Sequence, residues 1–118
     1  NLKYGDKHSF MVFDLRNDAI PETDLLLCRD CLIHLPYGDI IKCMNNIKKS
    51  KVKWLLVSTY FDHDNKELQK LWRPVNLERP PFNFPPPVDL LRERVDSEKD
   101  KYSGKSLGLW KVADLPDF

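Results

Sequence analysis

Asp24-Leu25-Leu26-Leu27-Cys28, then Pro36 to about Lys49, then Val52-Lys53-Trp54-Leu55-Leu56-Val57-Ser58-Thr59 decide how this chain is read. The first and third stretches are apolar runs without alternation, the pattern of strands covered on both faces, as in a parallel sheet. Between them Ile40, Ile41, Met44 and Ile47 fall on one helical stripe, with Lys42, Asn45, Asn46 and Lys49 turned outward. Pro36 sits in the first turn, where its missing N–H costs nothing. Strand, helix, strand in this order predicts a βαβ unit with a right-handed crossover.

Upstream, Ser9-Phe10-Met11-Val12-Phe13-Asp14 reads as a further strand ending in a carboxylate. Downstream, Asp62 to Leu71 is polar, with room for a short helix. Six prolines between Arg73 and Val88 (Pro74, Pro80, Pro81, Pro85, Pro86, Pro87) then exclude helix and central strand, leaving a stiff extended loop. Its Trp72, Leu77, Phe82 and Phe84 are too apolar for a free linker, so the loop is expected to lie on its own domain. Asp89–Val95 and Leu107–Val112 read as an antiparallel hairpin across the charged turn Asp96–Lys105. The domain organisation is thus one unit over 1–118, with a core at 9–61, the Pro-rich loop at 62–88 and the hairpin at 89–113.

Composition narrows the function. The 118 residues carry 19 basic and 18 acidic side chains, a net charge of +1, which leaves no footprint for nucleic acid or an anionic membrane. The Lys48, Lys49, Lys51, Lys53 cluster at a helix end reads as a solvated, dipole-favoured face. No apolar run approaches the ~18–20 residues that span a bilayer. Three cysteines without a secretion signal point to reduced thiols and a cytoplasmic setting.

Thr23-Asp24-Leu25-Leu26-Leu27-Cys28-Arg29-Asp30-Cys31-Leu32-Ile33-His34-Leu35 resembles the fourth strand and following turn of class I S-adenosylmethionine-dependent methyltransferases. The blocks Leu71-Trp72-Arg73-Pro74-Val75-Asn76-Leu77, Pro80-Pro81-Phe82 and Lys105-Ser106-Leu107-Gly108-Leu109-Trp110 look like an uncharacterised bacterial subfamily of them. The resemblance implies an α/β fold: a partial Rossmann-like sheet with a βαβ unit and a C-terminal antiparallel hairpin, lacking the N-terminal cofactor-binding βαβ. On that mapping the strand near Val12 is the family's third, and the hairpin is its sixth and seventh strands. The four glycines (Gly5, Gly38, Gly104, Gly108) make no cofactor-gripping loop. The implied function is methyl transfer from S-adenosylmethionine to a small-molecule acceptor, in the complete domain. The alternative is a catalytically silent fragment that self-associates, as a homodimer through an exposed sheet edge.

The resemblance places Asp14 and Leu15 near the cofactor's adenine and sets Cys28, Arg29 and Asp30 at the carboxyl edge of strand four. Asp14 serves equally well as a turn-capping carboxylate. Asp30 and His34, four apart, are the catalytic candidates. His34 is suited to proton transfer near neutral pH, although packing at the helix start is the favoured reading. Arg73 and Asn76 either bind an acidic or hydroxylated acceptor or anchor the loop. Cys28-Arg29-Asp30-Cys31 invites a redox or zinc reading. The first cysteine ends an apolar strand, and Cys43 with His8 or His63 has no zinc spacing, so no metal is expected and small apolar packing is the better account. Trp54, Trp72 and Trp110 are expected to pack in the core and under the loop.

Overall fold

The computed structural model describes residues 10–92 and 104–118. The βαβ unit forms as its apolar pattern requires: β1 (Leu25–Cys28), α1 (Tyr37–Lys49) and β2 (Trp54–Tyr60), with β1 and β2 parallel and Leu26 opposite Leu55. The hairpin pair is β3 (Asp89–Arg92) and β4 (Lys105–Lys111). Its two strands are antiparallel, and β4 also runs antiparallel along β2. The result is one four-stranded mixed sheet in the order β1-β2-β4-β3, in which β2 and β3 point the same way. Val95 and residues 96–103 of the expected turn lie outside the described residues, as do Gly5, His8 and Ser9.

Strand alternation divides the sheet into two unlike faces. Leu26 and Cys28 of β1, Leu55, Val57 and Thr59 of β2, and Ser106, Gly108 and Trp110 of β4 share one side by register. That side belongs to the core, with Ile40, Cys43, Met44 and Ile47 of α1. The Pro-rich loop completes the layer. Its Val75, Leu77, Phe82 and Phe84 are buried in the same cluster, and the Leu77 N–H donates to Thr59 Oγ1 at 3.1 Å. Trp110, 1% exposed, meets Phe84 edge-on at 5.1 Å, and its Nε1–H donates to the Pro85 carbonyl at 2.6 Å.

The opposite face carries Leu25, Leu27, Trp54, Leu56, Leu107, Leu109 and Leu91 by the same register. Leu27 is 57% exposed and Leu91 63% exposed, and no helix of the described residues covers them. β1 is an edge strand, so its outer backbone groups also lack a strand partner among the described residues.

Five expectations are corrected. Phe10–Asp14 is not a strand: it joins no sheet, and Val12 is 102% exposed. Its backbone makes no ladder with the open edge of β1, and a strand without a ladder cannot persist. Residues 62–71 contain no helix, because carbonyls there are taken by side chains from the following loop, His63 by Asn76 and Lys66 by Arg73. Asn46 does not face solvent. It is 3% exposed, and its Nδ2 donates to the carbonyls of Leu15 at 2.9 Å and Asp18 at 2.7 Å. A buried amide is stable only with its partners made, and here the turn after Asp14 supplies them. Trp54 is half-buried and Trp72 is 40% exposed, so only Trp110 of the three lies fully in the core. Lys48, rather than standing free, donates to the Leu115 and Pro116 carbonyls and to Asp117.

Candidate functional site

Ligands of open α/β sheets bind at the carboxyl ends of the strands. At that edge β1 ends in Cys28, and the chain reverses through Asp30, which adopts φ 55°, into a 3-10 turn at Leu32–His34. Asp30 tolerates this left-handed conformation because its short polar side chain bonds locally. Its N–H donates to Ser58 Oγ of β2 at 2.9 Å. Its carboxylate lies 3.0 Å from Lys105 Nζ of β4 and 3.8 Å from Arg29 Nε. Asp30 therefore ties three strands together at the carboxyl edge, while Arg29 reaches into solvent.

His34 is exposed, and its Nδ1 lies 2.9 Å from the Leu71 carbonyl oxygen. A carbonyl only accepts, so this contact requires the proton on Nδ1 and leaves the Nε2 lone pair for an incoming proton. Asp30 and His34 are thus held by different elements, Asp30 by the sheet and His34 by the loop.

A cavity of about 400 Å³ opens beside the turn, lined by Phe13, Asp14, Leu15, Arg16, Cys31, Leu35 and Cys43. That is within the range of small-molecule pockets. Asp14 and Leu15 come together with Cys31 here, whereas Cys28 lies buried and Arg29 points elsewhere. The Asp14 carboxylate is already engaged: Arg16 Nη2 sits at 2.9 Å and Arg16 Nε at 3.0 Å, holding its pKa at about 2. Asp14 also accepts from the Arg16 N–H and caps the turn, as its alternative reading held. Arg16 continues to Asp39 of α1 at 3.3 Å. A slightly larger hollow, about 410 Å³, lies at the opposite, amino end of the strands against Ile20, Asn46 and Lys49.

Arg73 and Asn76 are internal. Arg73 is 3% exposed. Its Nη1 donates to the Leu32 and Ile33 carbonyls at 3.2 Å, its Nε donates to Lys66 at 2.9 Å, and its guanidinium lies 5.3 Å from the Tyr37 ring. Glu67 joins this cluster by accepting from the Leu68 and Tyr37 N–H groups, which lowers its pKa and satisfies the first turn of α1. Asn76 donates to the Phe61 and His63 carbonyls at 3.0 and 2.9 Å and accepts from the Glu78 N–H. Both side chains fasten the Pro-rich loop, leaving neither aimed at an acceptor.

Sequence reasoning missed Ser58, Lys105 and Arg16. Ser58 had a signal, a hydroxyl inside an otherwise apolar strand. Lys105 and Arg16 had none, since surface cations are common. Among the described residues no group of histidine, cysteine, aspartate or glutamate side chains is arranged to hold a metal ion. No helix of the described residues is long and apolar enough to cross a membrane.

As a test of S-adenosylmethionine, these residues supply one wall only. Among the described residues no glycine lines the cavity and Asp14 is committed to Arg16, so these residues offer neither a close backbone approach to the cofactor nor a carboxylate for its hydroxyls. No family model, curated protein or solved structure matches this chain.

Proposed function

We propose that this chain is the C-terminal part of a class I S-adenosylmethionine-dependent methyltransferase acting on a small-molecule acceptor. The observation that carries the reading is the end of the sheet. The last strand, β4, lies reversed between β2 and β3, which run parallel to each other. A reversed hairpin closing a parallel sheet is what the sequence resemblance requires there. The outer face and the edge of β1, uncovered among the described residues, fit a sheet that continues beyond this chain, and the cavity at the carboxyl edge fits a site completed from outside. Within it the chain's own contribution is modest. His34 Nε2 can accept a proton from a hydroxyl or amine acceptor, and Asp30 with Lys105 fixes the turn that carries it.

Calorimetric titration with S-adenosylhomocysteine tests this. Micromolar binding that is weakened by Leu15→Arg supports the reading. No heat up to millimolar ligand, from this chain and from any longer product that contains it, refutes it.

A silent, self-associating module is the second reading, favoured by the uncovered leucines of the outer face. With a net charge of +1, two copies repel little. The face continues past Leu25 into an apolar groove lined by Met11, Phe13, Ile20 and Pro21, which extends it toward the ~800 Å² per partner of a stable interface. Sedimentation of a dimer that Leu27→Lys converts to monomer, with no cofactor binding, would favour it. A monomer at all concentrations would exclude it.

A further inference from the structure

Three cysteines separated in sequence converge on the turn after β1, and the methyl-transfer reading uses none of their thiol chemistry. In a continuing strand Cys28 and Cys31 would stand ~10 Å apart on opposite faces. The reversal at Asp30, φ 55°, instead sets the two cysteines at either end of one bend, Cys28 closing β1 and Cys31 opening the 3-10 turn. Both are free, and so is Cys43 of α1. Cys28 is buried at the strand end, while Cys31 is half-buried and lines the cavity of about 400 Å³, where a small molecule can reach it.

We infer that Cys28 and Cys31 form a redox-active dithiol that exchanges with low-molecular-weight disulfides, Cys31 attacking and Cys28 resolving. The inference stands apart from the methyltransferase reading. Cys31 attacks one sulfur of the incoming disulfide. That S–S bond breaks, the first thiolate leaves and takes a proton from solvent, and a mixed disulfide remains on Cys31. Cys28 then loses its proton to solvent and attacks Cys31 Sγ, releasing the second thiolate. The two protein thiols lose two electrons and two protons, and the small disulfide gains them.

The division of labour follows from the surroundings. Hydrogen bonding from the Cys28 thiol is the main influence that lowers the Cys31 pKa. Cys28 is raised for the same reason and by burial. Cys43 is pushed up to about 12, mainly by burial, so it stays a protonated bystander. Asp14 and Arg16 also line this cavity, and with Asp39 they pair with one another.

The test is incubation of the chain with oxidised glutathione at pH 7, followed by peptide mapping by mass spectrometry. The expected product is a Cys28–Cys31 disulfide with no retained glutathione. Cys28→Ser should trap a mixed disulfide on Cys31, and Cys31→Ser should take up none. In parallel, iodoacetamide should alkylate Cys31 about tenfold or more faster than Cys43 in the folded chain. A Cys31–Cys43 bridge, a persistent mixed disulfide in the unaltered chain, or equal alkylation of Cys31 and Cys43 would each overturn the inference. Cys43→Ser, which removes the bystander, should leave the bridge intact, and its loss there would count equally against it.

Discussion

An alanine methyl at Gly108 would sit 2.4 Å from Cζ3 and 2.5 Å from Cη2 of Trp110, well inside contact distance. Gly108 has no positive φ, so the cost of Gly108→Ala is steric alone. Trp110 lies two residues along β4, and its ring folds back over the space where a side chain would be. The ring cannot slide away cheaply, being held by Pro85 through Nε1 and by Phe84 edge-on. Overpacking of this kind costs roughly 1–3 kcal/mol. Losing the indole hydrogen bond adds about 1 kcal/mol. A total of roughly 2–4 kcal/mol, against an unfolding entropy of about 2.1 cal/mol/K per residue, lowers Tm by ~8–16 °C. Thermal unfolding by circular dichroism measures it, with Trp110→Leu as the second background. There the methyl has room, and Gly108→Ala should cost less than about 1 kcal/mol. A drop below about 2 °C in the original background, or an equal drop in both, would refute the reasoning.

Asn46→Leu should destabilise by roughly 1–3 kcal/mol, because the Leu15 and Asp18 carbonyls lose their donor; urea unfolding reads it, and an unchanged midpoint would mean those carbonyls are satisfied otherwise. Arg73→Lys should cost about 2–4 kcal/mol despite keeping the charge, since one ammonium cannot serve Leu32, Ile33 and Lys66 together. Thermal stability equal to that of the unaltered chain would contradict this. The Asp14 carboxyl, depressed to about 2, holds its turn above the usual carboxylate range near pH 4 and releases it as pH falls through about 2. Carboxyl carbon shifts in an NMR titration should show that midpoint, and an Asp14 midpoint near 4 would mean the Arg16 pair does not form in solution.

The βαβ unit was legible because its leucines and isoleucines have nowhere else to go. Apolar runs flanking a helical stripe fit only strands covered by that helix. The same logic misled at Phe10–Asp14, where an apolar run is present but forms no ladder with the open edge of β1. Asn46 shows a second limit. Periodicity assigns a polar side chain outward, and nothing local announces that two carbonyls from a turn some thirty residues earlier wait for its amide. Arg73 and Asn76 mark a third. Residue type shows what chemistry a side chain can do, but a proline-rich loop with few backbone hydrogen bonds of its own recruits those donors for its own anchoring. Asp30 was placed correctly at the strand edge, yet its partners Ser58 and Lys105 come from two other strands and are visible only once the sheet is assembled.

The position of β4 has a consequence for how such a chain is made. β3 emerges from the ribosome well before β4 but pairs with nothing else among the described residues, and β2 is bounded on one side only by β1 until β4 arrives. α1 waits likewise for the Leu115–Asp117 segment that Lys48 clasps. Assembly cannot proceed strand by strand from the amino end. A product interrupted before Lys105 leaves two disconnected strand sets and an indole-sized hole beneath Phe84. Such a product leaves the β4 side of β2 and its core face exposed, the kind of surface through which incomplete chains aggregate.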